Sequence, residues 1–445
     1  MTPDHRAGDF FTFYPHVRLV RGETAVAIHD LFQSCVYWFA EKKIAEALAC
    51  FAKGGRLADI ARATGVDDAT LENYLAALAA LDLGTRVAER TISDPFRPAI
   101  TRAQAKEKGV FLQGGIVTIE LANECIYKCP WCVAVNPLTA TACSCGVWPV
   151  EGGRLSVDER IFAIERLNEQ GFSKLVIKGG EPLLEWKELL AIVEAATRLG
   201  MFSTIHTTGL PLDRDRIEAL KGLRVHLVLM LAGSSEPEFD TAAGRRGSWR
   251  DLHHVLELLR EGGISFSAKI PASIVKAEQA QEFAAWALDL GATRVEHVIY
   301  APQSEGATLA DLRRVAALSN PQDMAVGIDE FYKNAQCQSC LWHACFIASD
   351  GRITPCIGIR APLADLHEVR MTEVLHENRL ANFQETTARR QVPACARCEF
   401  RFGCWSCLAR TADCNGKATG RHWNCAYEPA TATWIEQSAL VSAAT

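Results

Sequence analysis

Three features that would assign the chain to other classes of protein are missing from its sequence. Its 47 lysines and arginines are outnumbered by 53 aspartates and glutamates, so it lacks the basic excess with which nucleic-acid-binding proteins displace counterions from phosphate. No uncharged apolar run approaches the roughly 18 residues of a membrane span. The N-terminus has no apolar segment typical of a secretory signal. We therefore expect a cytoplasmic protein with no nucleic-acid or membrane partner.

Cysteine, by contrast, is abundant. The chain of 445 residues contains 17 cysteines, and in a reducing compartment such a number indicates metal or redox chemistry rather than structural disulfides. Apart from Cys35 and Cys50, the cysteines form two groups separated by a long stretch that has none. The first group is Cys125, Cys129, Cys132, Cys143 and Cys145, and the second comprises the ten cysteines from Cys337 to Cys425.

Predicted strands and helices alternate through the middle of the chain. Six such units indicate a parallel sheet, either open or curled into a partial (β/α)6 barrel, which we assign to residues 111–309. In a barrel the reactive face lies at the carboxyl ends of the strands. The first cysteine group follows the first predicted strand and Gly179 follows the second, so we expect both on this face. The predicted strands are 116–121, 174–178, 202–207, 225–231, 265–270 and 295–300.

Residues 1–95 are predicted to form a smaller, winged-helix-like α+β domain. Alternating apolar residues on both sides of Gly22 indicate two paired strands, and helical patterns follow at 42–52, 57–64 and 69–81. The start of the last helix is acidic (Asp67, Asp68, Glu72) and the helix has no lysine or arginine, which disfavours DNA binding. The other segments are a linker (96–110), a bridging helical segment (310–336) and a cysteine-rich domain (337–445).

The motif Cys125-x3-Cys129-x2-Cys132 brings three thiolates into one loop. A cubane iron–sulfur cluster normally takes four cysteine ligands, so three leave one iron open to another molecule. Zinc is the competing occupant, but it favours four protein ligands, and no histidine lies in this loop. From these residues alone, a structural zinc site, an ordinary cluster site and unliganded thiols all stay open.

Together with Gly179-Gly180-Glu181-Pro182 after the second strand, this motif resembles the radical S-adenosylmethionine (SAM) superfamily over residues 116–307. The resemblance implies that the three cysteines hold a [4Fe–4S] cluster whose open iron binds SAM. Reductive cleavage of SAM then gives a 5′-deoxyadenosyl radical, which abstracts hydrogen from a substrate C–H bond. In this reading the glycines let the methionyl ammonium approach the backbone, and the Glu181 carboxylate accepts its hydrogen bond.

The resemblance extends to polar residues where later strands end, although a threonine stands where the superfamily often has asparagine. Ordinary turn chemistry is the alternative explanation for these residues. No further catalytic residue is identified. The implied cofactor-binding residues are Trp131, Gly179, Gly180, Glu181, Pro182, Thr207, Thr208 and Ser234.

The C-terminal cysteines resemble the SPASM domain, which holds auxiliary [4Fe–4S] clusters. The matching pattern is Cys395-x2-Cys398-x5-Cys404-x2-Cys407, although the family usually has three residues between the last pair. Two auxiliary clusters are implied, three cubanes in all, with zinc as the alternative occupant. The implied ligands are Cys340, Cys345, Cys356 and Cys407 for one cluster and Cys395, Cys398, Cys404 and Cys425 for the other, which leaves Cys337 and Cys414 spare.

The N-terminal domain resembles the recognition element of enzymes that modify ribosomally made peptides, which implies that a leader peptide adds to an exposed sheet edge. We therefore expect a radical SAM maturase that crosslinks a residue of a precursor peptide through a thioether, ether or C–C bond. A reducing partner such as flavodoxin or ferredoxin is implied. Ile357 stands where sulfatase-maturing relatives have aspartate, which counts against that activity. The alternatives are radical chemistry on a small molecule or folded protein, and a metal- or redox-sensing winged-helix regulator.

Overall fold

The N-terminal residues fold into a small antiparallel sheet backed by three helices. A computed structural model describes residues 8–94, 114–129, 152–273, 279–300, 320–359, 361–387, 389–404 and 425–434. Every residue of the central strand β3 is buried, because helices cover one of its faces and the C-terminal region covers the other. The elements are β1 (Phe10–Phe13), β2 (Val17–Arg21), β3 (Val26–Asp30), β4 (Cys35–Phe39), α1 (Lys42–Phe51), α2 (Leu57–Thr64), α3 (Asp68–Ala80) and β5 (Gly84–Val87).

The three predicted helices of this domain are confirmed, whereas β1, β4 and β5 were not predicted. Strands β2, β3 and β4 form one sheet, and β1 pairs with β5 in a separate antiparallel ribbon. Helix α3 begins at Asp67, whose side chain caps the N–H of Thr70. Helix α2 ends at Gly65, which adopts the left-handed conformation.

Six parallel strands form the centre of the molecule, adjacent in chain order as predicted. Apolar residues at alternate positions, such as Leu175 and Ile177, pack under the surrounding helices in one continuous core. The strands are β6 (Gly115–Glu120), β7 (Phe172–Lys178), β8 (Phe202–Thr207), β9 (Val225–Met230), β10 (Phe266–Ser273) and β11 (Val295–Tyr300). The helices are α4 (Val157–Glu169), α5 (Trp186–Arg198), α6 (Arg214–Leu220), α7 (Glu236–Ala243), α8 (Ser248–Gly262) and α9 (Ala280–Asp289), so two helices separate β9 and β10 where one was predicted.

The C-terminal region extends this sheet, which the sequence did not predict. Strand β12 lies parallel to β6, and β13 and β14 continue antiparallel, giving nine strands. The elements are α10 (Ile328–Gln336), β12 (Ala344–Ile347), β13 (Arg352–Thr354), β14 (Ala364–Asp365), α11 (Met371–His376), α12 (Arg379–Thr386), α13 (Pro393–Ala396), β15 (Tyr427–Glu428) and β16 (Thr433–Trp434).

The N-terminal domain packs directly against the bridging segment, which carries Tyr332, and against the cysteine-rich region. The Arg18 guanidinium donates to the Tyr332 hydroxyl at 2.6 Å, and the Glu23 N–H donates to the carbonyl oxygen of Arg397 at 2.9 Å. The predicted linker 96–110 lies outside the described residues. Across the described parts of the chain, every helix is too short or too polar to traverse a lipid bilayer.

Candidate functional site

The carboxyl ends of the barrel strands border a pocket with an empty volume of about 390 Å³. One wall is the loop after β6, which carries two of the predicted cluster ligands. The ends of β7 and β8 and parts of β9 and β10 complete it. The structure thus brings predicted site residues from three segments into one cavity. The lining residues are Cys125, Tyr127, Cys129, Gly180, His206, Thr207, Thr208, Val228, Met230 and Lys269.

The Gly179-Gly180-Glu181-Pro182 segment packs against the cysteine-bearing loop. Gly179 and Gly180 have φ angles of 87° and 43°, which favour glycine. A Cβ atom at Gly180 would overlap the carbonyl oxygen of Glu124, and the Glu181 N–H donates to that same oxygen at 2.7 Å. Contact between the two motifs is therefore the first reason for glycine here, and approach of a methionyl ammonium stays a prediction.

Glu181 ties the end of β7 to the end of β8. Its carboxylate is fully buried. Oε1 accepts from the Leu183 N–H at 3.0 Å and the Thr207 hydroxyl at 2.6 Å. Oε2 accepts from the N–H and the hydroxyl of Thr208, at 2.7 and 2.5 Å. Burial raises the pKa of Glu181 above its usual value, and these hydrogen bonds offset only part of that rise.

The expected role of Glu181 as an acceptor for an ammonium group stays a prediction. Each carboxylate oxygen already accepts two hydrogen bonds from the protein. In the structure Glu181 orients Thr207 and Thr208, which line the pocket. The sequence identified the three residues but could not show that they bind one another, because 26 positions separate Glu181 from Thr207.

The phenol of Tyr127 lies in the pocket lining beside the predicted cluster ligands. Its ring packs edge-on against Phe239, with centroids 6.1 Å apart, and the residue is 4% exposed. Its hydroxyl has no hydrogen-bond partner among the described residues. Burial, followed by the charges of Cys129 and Glu181, raises the pKa of Tyr127, so the phenol is a donor at neutral pH. An orphaned buried donor here fits a pocket that a further molecule completes.

His206 and Lys269 are pocket residues that the sequence analysis missed. Lys269 is 1% exposed, and its ammonium lies 3.9 Å from the carboxylate of Glu296. Burial, and then the charges of Lys178 and Lys269, lower the pKa of His206 well below its usual value, so its imidazole is neutral. The signal that could have found them is a polar side chain at alternate positions of otherwise apolar strands.

Other predicted residues lie away from the pocket lining. Pro182 begins a short 3-10 turn (Pro182–Glu185). The Ser234 N–H and hydroxyl each lie 3.4 Å from the Glu238 carboxylate, so turn chemistry accounts for Ser234 at the start of α7. Four residues of the first cysteine-rich segment lie outside the described residues, namely Trp131, Cys132, Cys143 and Cys145.

The structure separates the cysteines that were predicted to bind the first auxiliary cluster. Cys345 lies on β12 opposite Val117 of β6 and is buried in the barrel core, where burial raises its pKa to about 12. Cys340 is exposed in the turn Ser339–Leu341, and Cys356 packs against Leu341 of that turn. Cys345 and Cys356 thus pack in different apolar clusters, and the grouping of Cys345 with Cys340 and Cys356 stays a prediction. Cys407, which was predicted as a ligand, and Cys414, which was predicted to be spare, lie outside the described residues.

The second predicted set converges on one apolar cluster. Cys398, Cys404 and Cys425 all pack against it, and the Cys398 N–H donates to the carbonyl oxygen of Cys395 at 2.9 Å. Burial, followed by the nearby charge of Glu399, raises the pKa of Cys398 well above its usual value. Among the described residues, no group of three or more His, Cys, Asp or Glu side chains could hold a metal ion by itself. The ligands of a cubane lie farther apart than those of a single ion, because iron and sulfide atoms separate them.

Two family models match the chain. Residues 119–287 match the radical SAM superfamily, and residues 337–399 match the SPASM iron–sulfur cluster-binding domain. The first match covers the first cysteine group, and the second covers the C-terminal group from Cys337 to Cys398. The chain thus carries a radical SAM domain followed by a SPASM domain.

Among curated proteins, the chain is similar to the PqqA peptide cyclase of Gluconobacter oxydans, at 27% identity over 178 residues. That alignment covers 40% of this chain and 47% of the cyclase, so the chain spans about half the length of this relative. It is also similar to the AdoMet-dependent heme synthase of Methanosarcina barkeri, at 21% identity over 71% of this chain and 97% of the synthase.

Among solved structures, the chain is similar to SuiB of Streptococcus suis, determined with S-adenosylmethionine and with the precursor peptide SuiA. The TM-score is 0.51 at 15% identity, over 90% of this chain and 96% of SuiB. At this identity the similarity shows the fold alone. It covers the N-terminal domain, the barrel and the C-terminal region in one architecture.

Proposed function

We propose that this chain, with its radical SAM and SPASM domains, is an enzyme that modifies a precursor peptide by radical chemistry. The observation that carries the proposal is the pocket that Cys125 and Cys129 share with Gly180 and Thr208. A [4Fe–4S] cluster and SAM bound there would supply a 5′-deoxyadenosyl radical after one-electron reduction. The described residues fit this use, because the pocket offers thiolate ligands together with the orphaned donor of Tyr127.

The protein itself would hold the cluster, orient the residues of the pocket and exclude water from it. Cys125 and Cys129, with Cys132, would ligate the cluster, and Glu181 holds Thr207 and Thr208 in the lining of the pocket. Val228 and Met230 give the pocket an apolar side that excludes water from a reactive radical. Lys269 would face the substrate from β10 as a buried cation.

The substrate we propose is a ribosomally made precursor peptide. The PqqA peptide cyclase and SuiB, which was crystallised with its precursor peptide, both act on or bind peptides according to their names. The three-stranded N-terminal sheet offers the physical means, since an extended peptide can add to a strand edge. The heme synthase relative, aligned over nearly its whole length, makes a small molecule the second candidate substrate.

The edge strands of this sheet are β2 and β4, and the edge of β4 is partly occupied. The Gln322 amide donates to the carbonyl oxygen of Val36 at 2.7 Å and accepts from the Val36 N–H at 3.4 Å. One side-chain amide thus makes the pair of bonds that a peptide residue would make. The edge is less exposed than the sequence suggested, and we propose that a leader peptide displaces Gln322.

For the first auxiliary cluster we propose Cys337, Cys340 and Cys356, completed by Cys407. Cys337 lies just before the turn that carries Cys340, whereas Cys345 belongs to the barrel core. Anaerobically reconstituted protein should contain about 12 irons, as three cubanes. Cys337→Ala should lose about four irons, and Cys345→Ala should keep all of them. The reverse result would restore the assignment of Cys345.

The finer proposal is a crosslink in the peptide. A flavodoxin or ferredoxin would supply the one electron that cleavage of SAM requires. The peptide would lose one hydrogen atom to the radical, then a proton, and an auxiliary cluster would accept the remaining electron. The test is anaerobic incubation with SAM, reductant and the short peptide encoded beside the gene, followed by mass spectrometry. Loss of two hydrogens would indicate a crosslink, and an unchanged mass with deuterium uptake from solvent would indicate epimerisation instead. Cys129→Ala should abolish both the peptide change and reductive cleavage of SAM. Cleavage of SAM by that variant would refute the proposal.

A further inference from the structure

The N-terminal domain and the second set of auxiliary cysteines share one apolar cluster. Ala27 and Val36, from strands β3 and β4, are buried in it, and Trp38 packs against it. From the C-terminal region, Phe400 and Tyr427 are buried in the same cluster. Three cysteines complete the contact, namely Cys398, Cys404 and Cys425. These cysteines are thus enclosed by strands that precede them by more than three hundred residues.

Trp38, from the N-terminal domain, contacts three aromatic rings of the C-terminal region. Its ring centroid is 6.0 Å from that of Tyr427 and 6.3 Å from those of Phe400 and Trp434. The Tyr427 and Trp434 rings also contact each other, at 4.7 Å. Four aromatic rings from three separate segments therefore close over one site, and one of them belongs to the N-terminal domain.

Trp38 is hydrogen-bonded to a buried carboxylate beside one of the cysteines. Glu399 follows Cys398 and is fully buried. Its Oε1 accepts a hydrogen bond from the Trp38 indole N–H at 2.9 Å and another from the Tyr427 hydroxyl. The His29 ring nitrogen contacts the Glu399 carbonyl oxygen at 3.3 Å. The N-terminal domain thus fixes both the side chain and the backbone beside Cys398.

We infer that the N-terminal domain forms one wall of the second auxiliary cluster site, with Trp38 as the shielding and positioning residue. The inference rests on the proposed function, which assigns Cys395, Cys398, Cys404 and Cys425 to a cluster. Solvent exposure and nearby hydrogen bonds govern the properties of iron–sulfur clusters. The domain is therefore part of the redox site as well as a candidate peptide-binding module.

The test compares variants of the full-length, reconstituted protein. Trp38→Ala removes the ring, Trp38→Phe keeps most of its area but not the N–H, and Val36→Ala trims the wall elsewhere. Glu23→Ala is the matched control, because it breaks only a partly exposed junction ion pair with Arg397. The readout is loss of cluster absorbance, and of the EPR signal measured after dithionite reduction, following exposure to air or a chelator.

Trp38→Ala should release one cubane, about four irons, several-fold faster than the wild type. Val36→Ala should accelerate that same phase about twofold, and Glu23→Ala should stay near wild type. Trp38→Phe should fall between Trp38→Ala and the wild type, because it keeps most of the ring but loses the hydrogen bond to Glu399. Equal release from wild type, Trp38→Ala and Val36→Ala would overturn the inference. If Trp38→Ala does not fold, the comparison of Val36→Ala with Glu23→Ala decides alone. Failure of the proposed function appears separately, as wild-type protein that never acquires three cubanes.

Discussion

Two fully buried carboxylates differ in how completely they are hydrogen-bonded. Glu181 lies at the carboxyl ends of the barrel strands, here called the rim. Glu399 lies where the N-terminal domain packs against the C-terminal region, here called the junction. Glu181 has two donors at each oxygen, all from the strand ends that it joins. Glu399 has two donors at Oε1, and its Oε2 has none among the described residues. The rim is completed by adjacent barrel elements, whereas the junction is assembled from distant segments and leaves polar capacity unused.

The largest effect that separates the two regions is expected for Glu181→Gln. The new NH2 group must face donors that now bind a carboxylate oxygen, so at least one buried N–H or hydroxyl loses its acceptor. We expect the free energy of unfolding of the barrel to fall by about 3 kcal/mol, measured by urea denaturation. Thr207→Ser keeps the hydroxyl and should cost under about 1 kcal/mol. A Glu181→Gln variant as stable as the wild type would show that these four hydrogen bonds do not hold the rim.

Acid should weaken the junction. Burial is the main reason that the pKa of His29 is lowered from 6.5 to about 4. The unfolded state therefore binds a proton that the folded state does not, and stability is lost as the pH falls from 6.5 toward 4. Between pH 7 and pH 5 the loss should be about 2 kcal/mol. It is measured as faster hydrogen exchange of the β3 amides, corrected for the intrinsic rate.

The control for this prediction is His29→Gln, which keeps an N–H for the Glu399 carbonyl oxygen but does not titrate. The difference between wild type and variant isolates His29 from the other groups that titrate in this range. If both proteins lose protection equally between pH 7 and pH 5, His29 is not the source of the acid sensitivity.

The rim was more predictable from sequence than the junction, for a physical reason. The barrel strands show a regular apolar pattern, and the motifs at Cys125 and Gly179 each follow a strand, so their common location follows from the topology of parallel sheets. The contacts of Trp38 and Gln322 depend on residues 361 and 286 positions away, which no local pattern encodes. The same holds for Cys345, whose core environment follows from the unpredicted pairing of β12 with β6.

Individual side chains were also harder to predict than elements. The sequence singled out Glu181, Thr207 and Thr208 but not their mutual hydrogen bonds. It missed His206 and Lys269, since a polar residue in a strand is ordinarily read as solvent-facing. These two residues belong to a pocket because the neighbouring strands and the loop after β6 surround them.

A smaller effect is expected at the rim for Tyr127→Phe. The wild-type phenol is a buried donor without an acceptor among the described residues. Its removal eliminates the free-energy cost of burying an O–H group that makes no hydrogen bond. Cofactor-free protein should gain about 1 kcal/mol in free energy of unfolding. In reconstituted protein with SAM the gain should disappear, because the phenol then has an acceptor. An equal gain in both states would indicate that no bound group uses this hydroxyl.

A further, still smaller effect is expected at the junction for Gln322→Ala. The variant frees the Val36 N–H and carbonyl oxygen at the edge of β4. The two hydrogen bonds of Gln322 that compete with the peptide are then absent, and they are worth about 0.5 to 1 kcal/mol. Binding of a labelled precursor peptide should become about two- to fivefold tighter. Gln336→Ala serves as the control, because it removes a glutamine side chain that bonds the Tyr332 carbonyl oxygen instead. Weaker peptide binding by Gln322→Ala would place the peptide elsewhere.

The smallest effect is expected for Glu399→Gln, and it tests the comparison most directly. The glutamine can keep its carbonyl oxygen toward Trp38 and Tyr427 and turn its NH2 group to the side where Oε2 has no donor. It also removes a buried charge, so the free energy of unfolding should change by less than about 1 kcal/mol. The same substitution should thus be costly at residue 181 and nearly neutral at residue 399. A loss at Glu399 as large as that at Glu181 would mean that Oε2 has a donor, and that the junction is as fully satisfied as the rim.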